Sequence, residues 1–312
     1  MPIDLFTHPD FFTHPAPPSF PERPARLTAI LDRLTEQGLT ERCQRPTFEP
    51  ATTDQITRLH TPDYVTRAQH ACETGQPQLD CPDVPIGPTS EIVARLATGA
   101  ALTAIDRLIN HTATAAFLAA RPPGHHAEAD RAMGFCIYNH AALAAEHAIQ
   151  HHHLQRVAIL DFDVHHGNGT QHLFESRPDV FYCSLHEDPR TQYPGTGHPH
   201  ETGIGPGLAT TLNLPLPAGT TDDHFLQTLT AQAIPALQRF DPQLLILSAG
   251  FDAHTDDPLG HLNLSTGCFT QITQHLLALN LPTLSVLEGG YHLDALADCV
   301  QAHLTELLNF ET

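Results

Sequence analysis

Residues Ala158–Phe174 read AILDFDVHHGNGTQHLF, and the reading of this stretch decides the fold. Ala158, Ile159 and Leu160 sit in an apolar run, RVAILDF (156–162), with the composition of a strand buried on both faces. Asp161, Asp163, His165 and His166 follow at once. Side chains alternate along a strand, so Asp161, Asp163 and His165 share one face while Phe162 and Val164 take the other. Carboxylates leaving a buried strand are costly unless a partner compensates them. A cation on that face is one answer; a satisfied buried polar network is the other.

Similar runs recur on either side. They are TATAAFLAA (112–120), DVFYCSL (179–185), ATTLNLPL (209–216), PQLLILSAG (242–250) and PTLSVLEGG (282–290). Helical stretches such as AALAAEHAI and FLQTLTAQAIPALQRF lie between several of them. Apolar strands alternating with helices predict an α/β fold with a central, mostly parallel sheet flanked by helices on both faces. The 312 residues show no internal repeat and no low-complexity linker, so the expectation is a single domain over 1–312. The first fifty residues are proline-rich, yet PARLTAILDRLTEQGL reads as a helix with Leu27, Ile30, Leu31 and Leu34 on one side and Gly38 at its end. A second helix is expected from Ser90, read as its N-cap.

Open α/β sheets bind ligands beyond the carboxyl ends of their strands, and the polar motifs lie there. TATAAFLAA runs into RPPGHHAE, RVAILDF into DVHHGNG, FYCSL into HEDPRTQYPGTG, LLILSAG into FDAH and LSVLEGG into YHLD. One such motif means little in a chain with 24 histidines; five in the same relation to their strands do not arise by chance. Asp163 and His165 from one strand, with Asp252 from another, offer a metal two anionic oxygens and one imidazole nitrogen. Three protein ligands and an open fourth position are the pattern of a catalytic zinc.

Bulk properties exclude several other chemistries. All 15 basic residues are arginine, so no lysine Schiff base and no Walker-type phosphate lysine can form. The formal net charge of −20 argues against direct nucleic-acid binding. Seven cysteines, scattered singly, suggest neither a disulfide framework nor a thiolate zinc site; Cys136 and Cys183 read as small buried apolar residues. The opening MPIDLFTHPDFF lacks the basic and apolar regions of a secretory signal, and no run approaches bilayer-spanning length, so no membrane partner is expected and the compartment is read as cytoplasmic. The run His151–His153 has two readings, a metal-binding cluster and a solvated helix end, of which the second is the simpler.

Taken in order, RPPGHHA, LDFDVHHGNGTQ, SLH…YPGTG, SAGFDAH and EGGY resemble the zinc-dependent histone deacetylase family, which has an arginase-like α/β fold. PERPARL and LHTPDYV extend the similarity over nearly the whole chain, and HHGNG with LEGGY is more similar to the class II-type branch, which includes many bacterial members. The resemblance implies one catalytic Zn2+ on Asp163, His165 and Asp252. It implies tandem histidines, His125 and His126, with Asp161 orienting His125 and Asn168 facing His126. Tyr291 matches the tyrosine across the substrate carbonyl, and Gly134, Phe135 and Tyr193 match the acyl-lysine tunnel. A structural K+ is implied at Asp161, Asp163, Ser184 and the carbonyls of His165 and Leu185.

The implied reaction is hydrolysis of N-ε-acyl-lysine in peptides or proteins, with His126 as general base and Tyr291 as oxyanion donor. Three competing readings stay open: an acetylpolyamine or other small N-acetyl amide deacetylase, an arginase-like dinuclear manganese hydrolase, and a catalytically weak acyl-lysine binder. Leu259 holds the position of a glutamate in the polyamine-specific branch and argues for peptide substrates, whereas Glu187 and Asp188 could attract a cationic amine. Asp80 or Asp83 is a candidate rim carboxylate. Arg26 reads either as a counter-ion at the foot of the site or as a surface ion pair. Phe20 replaces the histidine of the family's HPERP. Homo-oligomerisation is left open.

Overall fold

A computed structural model describes residues 3–310. Seven strands form one sheet: β1 (Ile3–Phe6), β2 (Ala115–Leu118), β3 (Val157–Asp161), β4 (Val180–Glu187), β5 (Thr211–Leu216), β6 (Leu244–Ala249) and β7 (Thr283–Leu287). Their order is β1-β2-β7-β6-β3-β4-β5, and every neighbouring pair is parallel. The six apolar runs in the sequence correspond to β2–β7. β1 was not anticipated, because four residues ahead of a proline-rich segment carry too little pattern. Its place on the sheet edge is held by pairing with β2 and by Asp4, which accepts from Arg107 at 2.5 and 3.1 Å.

The helices are α1 (Ala25–Glu36), α2 (Thr53–Ile56), α3 (Pro62–Glu73), α4 (Ser90–Ile109), α5 (His140–Gln150), α6 (Asn168–Phe174), α7 (Asp222–Thr228), α8 (Ile234–Phe240), α9 (Thr266–Leu277) and α10 (Leu293–Asn309). One packed row, α4 with α5, covers β2, β3, β6 and β7; α1, α10 and α9 pack in a second row on the other side. Leu27, Ile30 and Leu34 of α1 are fully buried, each contributing roughly 1.5–3 kcal/mol of apolar transfer. Thr89, not Ser90, is the N-cap of α4; the Ser90 hydroxyl accepts from the Gly87 N–H and contacts Nδ1 of His14. The stretch FLQTLTAQAIPALQRF is not one α-helix, because a π-helical turn at Leu229–Ala233 separates α7 from α8 where Pro235 removes a backbone donor. No helix among the described residues is long and apolar enough to cross a membrane.

The topology positions the site. β3 and β6 are neighbours, β7 lies beside β6, and β2 lies beside β7. Loops leaving these four carboxyl ends therefore meet over the middle of the sheet.

Candidate active site

β3 and β6 bring Asp163, His165 and Asp252 together. Nδ1 of His165 lies 3.0 Å from Asp163 Oδ1 and 3.1 Å from Asp252 Oδ2, and all three residues are buried. The remaining oxygens are held by backbone: Asp163 Oδ2 accepts from Gly289 N–H at 2.7 Å and Asp252 Oδ1 from Val164 N–H at 2.9 Å. A Cβ on Gly289 would stand 2.0 Å from Asp252 Oδ2, so β7 can approach the acids only with glycine there.

The charge balance of this cluster fits a metal. Burial pushes Asp252 up to about 7, with Asp163 adding to the effect. Burial opposes protonation of His165, but the Asp163 and Asp252 carboxylates outweigh it and raise the ring to about 10. Two buried carboxylates and one imidazole thus compete for protons in a small volume, and a divalent cation relieves that competition. The donor set, one nitrogen and two carboxylate oxygens, suits zinc.

The loop after β2 supplies His125 and His126. Nδ1 of His125 is 3.0 Å from Asp161 Oδ2, which also accepts from the Tyr182 hydroxyl at 3.2 Å. Burial lowers the affinity of His125 for a proton, yet Asp161, Asp163 and Glu288 more than reverse this and take it to about 10. His126 goes the other way: burial, then the charges of His125 and His165, hold it well below the usual histidine range. Its Nδ1 is 2.8 Å from Asn168 Oδ1. The two rings lie 4.0 Å apart, so neighbouring imidazoles have opposite proton affinities.

A cavity of about 230 Å³ opens above them, lined by Asp83, His126, Gly134, Phe135, His165, Gln192, Tyr193, Leu259 and Tyr291. It therefore collects Gly134, Phe135, Tyr193 and Leu259, the expected tunnel residues, with Tyr291 beside them. Tyr193 meets His126 edge-on at 5.1 Å and Phe135 meets Tyr291 at 5.8 Å. Phe20 packs edge-on against Phe135 at 5.1 Å, so this departure from HPERP backs the cavity wall. Asp83 accepts from Gly134 N–H at 3.0 Å and keeps its Oδ1 without a partner. Asp80 is instead spent on Arg67 and on Ala132 N–H. Asp161 and Ser184 are register partners on β3 and β4, with Leu185 next in β4; the Ser184 hydroxyl lies 2.7 Å from His186 Nδ1.

Two readings need correction. Glu187 is buried and accepts from His261 N–H at 2.7 Å and lies 3.0 Å from its ring, while Asp188 is forked by Arg190. Glu187 is thus closed to a cationic amine, whereas Asp188 is only partly buried and is paired with the Arg190 guanidinium. Arg26 is no surface ion pair: it is fully buried, donates to the Gly290 and Glu288 carbonyls at 2.6 and 2.5 Å, and lies 4.9 Å from the Tyr291 ring.

Sequence reasoning missed several supporting groups. Glu288 is buried at the end of β7 and accepts from Gly124 N–H at 2.7 Å and His125 N–H at 3.1 Å, which orients the tandem histidines. Its signal was present in LEGG, an acid closing an apolar strand as Asp161 closes β3. Asp257 accepts from Tyr291 N–H at 2.6 Å. Glu128 accepts from the Asn168 side chain, and nothing in its sequence context marks it.

Comparison with known proteins places the whole chain in one family. A sequence model of the Histone deacetylase domain matches residues 20–307. The chain is 37% identical over 297 residues to human Polyamine deacetylase HDAC10, covering 92% of this chain and 44% of that protein. It is 40% identical over 253 residues to the Histone deacetylase-like amidohydrolase of Pseudomonas aeruginosa, covering 81% of this chain and 65% of that one. The crystal structure of the HDA15 HD domain superposes with a TM-score of 0.93 at 32% identity, over 98% of this chain and 91% of the other.

Proposed function

The chain belongs to the histone deacetylase family and is a hydrolase of that family; on that premise we propose that it is a zinc-dependent deacylase of N-ε-acyl-lysine in peptides or proteins. The observation that carries the reading is one cavity whose floor is His165, with Asp163 and Asp252 clustered against it beneath, His126 and Tyr291 as the flanks, and Phe135, Tyr193 and Leu259 as the apolar walls. A zinc ion on Asp163, His165 and Asp252 supplies Lewis acidity and brings the pKa of water down to roughly 7. His126, neutral and held through Nδ1 by Asn168, takes the proton of the attacking water and returns it to the leaving amine. His125, charged against Asp161, stabilises negative charge beside it. The Tyr291 hydroxyl donates to the developing oxyanion. Phe135 and Tyr193 flank the methylene chain, and the Asp83 carboxylate on the cavity lining accepts from substrate backbone N–H groups.

Behind the floor, Asp161, Asp163, Ser184 and the carbonyls of His165 and Leu185 hold a potassium ion in this reading; the pairing of Asp161 with Ser184 supports it. Residues 1–312 act as one deacetylase domain, a reading supported by the family match over 20–307 and by the single sheet. A dinuclear manganese site gains no support: the further acids Glu288 and Asp257 have oxygens committed to backbone N–H groups.

The acetylpolyamine reading is favoured by the HDAC10 relatives and disfavoured by Leu259, a neutral group where an ammonium needs an anion. A turnover panel of acetyl-, propionyl- and trifluoroacetyl-lysine peptides beside acetylated polyamines, with and without chelator, tests both. Peptide turnover lost to chelator and restored by zinc is expected. Preference for acetylpolyamines over every peptide transfers the assignment to small amines, and peptide binding without acetate release identifies a binder.

A further inference from the structure

Away from the strand tips, a second group of metal-ligating side chains meets at the far end of α5. That helix starts beside the active site, where its N-cap Asn139 lies 3.5 Å from the His125 carbonyl. It ends about 16 Å away, from the rise per residue, at His151. His147 and His151 stand one turn apart with their rings stacked at 4.8 Å. His152 meets His147 edge-on at 5.5 Å and His151 at 4.9 Å. Asp106, near the end of α4, directs one oxygen at the group: Oδ1 is 2.7 Å from Nε2 of His147 and 2.7 Å from Nε2 of His152. His147 is buried and its Nδ1 has no partner, so its only polar engagement is the Nε2 edge turned to Asp106.

We propose that Asp106, His147, His151 and His152 form a second binding site for a late first-row divalent cation, Zn2+ being the ion they fit best. One donor atom from each residue lies within 4.8 Å of the other three. Tetrahedral zinc at about 2.0–2.1 Å from its ligands sets donor atoms about 3.3 Å apart, so the two His–Asp contacts open by roughly half an ångström and donor pairs up to 4.8 Å apart close by about 1.5 Å at most. Three imidazoles select zinc, nickel or copper over calcium and magnesium, which take oxygen ligands. Four protein ligands leave no open position, which makes the site structural. His151 is exposed and Asp106 and His152 are half-buried, giving an ion a path from solvent. Bound there, the ion ties the end of α4 to the end of α5, on the side of the sheet where β3 begins. His153 does not take part; its left-handed backbone, φ 58°, turns the chain toward that strand. The histidine run is thus half of a constellation whose other half, His147 and Asp106, comes from one turn back and from a neighbouring helix.

Equilibrium dialysis of the chelator-stripped full chain against micromolar free Zn2+, followed by metal analysis, tests the site. The unaltered chain is expected to retain two ions, and a His151→Ala/His152→Ala chain one ion with deacetylase turnover unchanged. An unaltered chain retaining a single ion, or a double variant still retaining two, overturns the proposal. In an Asp252→Ala chain, which lacks a metal ligand of the active site, Zn2+ should still raise the melting temperature, and adding the double substitution should abolish that rise. A rise that survives the double substitution also overturns it, because the ion then binds elsewhere.

Discussion

The side-chain oxygen of Asn168 lies 2.8 Å from Nδ1 of His126, and the nitrogen of the same amide donates to the Glu128 carboxylate. With its nitrogen committed, the amide can present only oxygen to the ring, so Nδ1 carries the imidazole proton and Nε2 keeps its lone pair. Glu128 is itself 2.8 Å from Nδ1 of His172. The negative charge therefore stands one residue behind His126 instead of touching it. An Asn168→Asp variant brings that charge into contact and raises the proton affinity of the ring. The acid limb of the kcat/KM–pH profile should move up by about one unit. An unmoved limb removes His126 as the titrating base.

Tyr291 is almost fully buried on the cavity wall, with Arg26 against its ring and its backbone N–H fixed by Asp257. Removing only the hydroxyl leaves these contacts intact. Tyr291→Phe should fold, bind zinc and lose about 10²–10³ in kcat. Unchanged turnover excludes the phenol from the reaction.

Gly134 adopts φ +56°, and a Cβ there would stand 2.3 Å from the His126 ring. Gly134→Ala must shift that ring, and misplacement by about an ångström can cost on the order of 10²-fold in rate. The expected result is a large fall in kcat with zinc stoichiometry preserved, read by steady-state kinetics and metal analysis.

Leu259 places an uncharged side chain on the cavity wall. Leu259→Glu supplies an anion for a distal ammonium and should raise kcat/KM for acetylpolyamines relative to acetyl-lysine peptide by about tenfold or more, the worth of one partly desolvated charge pair. A ratio unaffected by the new charge shows that the far end of the substrate lies elsewhere.

Acid should unfold the protein early. His14, His60, His140 and His186 are each lowered from 6.5 to about 4, chiefly by burial. Below pH 6.5 the unfolded chain takes up protons that the folded chain refuses. Stability then falls as pH drops from 6.5 toward 4, by about 1.4 kcal/mol per unit for each ring. Glu22 extends the loss below 4.5. Burial raises its carboxyl but Arg121 and Arg26 override this, leaving it at about 2. Melting temperature against pH should be steep between 6.5 and 4, and a flat curve contradicts the buried neutral rings.

The alternation of apolar strand and polar tip made the sheet legible, because each strand from β2 to β7 is buried, save Leu212 and Pro215 of β5, and carries its signal within a few consecutive residues. The same local logic identified Asp163, His165, Asp252, His125, His126 and Tyr291 as strand-tip groups, since a carboxylate or imidazole closing an apolar strand needs a reason. Tertiary structure alone decided which groups support them. Glu288, Glu128, Asp257 and Arg26 act through backbone N–H groups, carbonyls and amides 34 to 264 residues away, and no local pattern encodes a partner at that separation. β1 lacked length, and Asp106 joined the histidines only because α4 packs on α5. Periodicity is a property of neighbours in sequence, whereas charge compensation in a buried site is a property of neighbours in space.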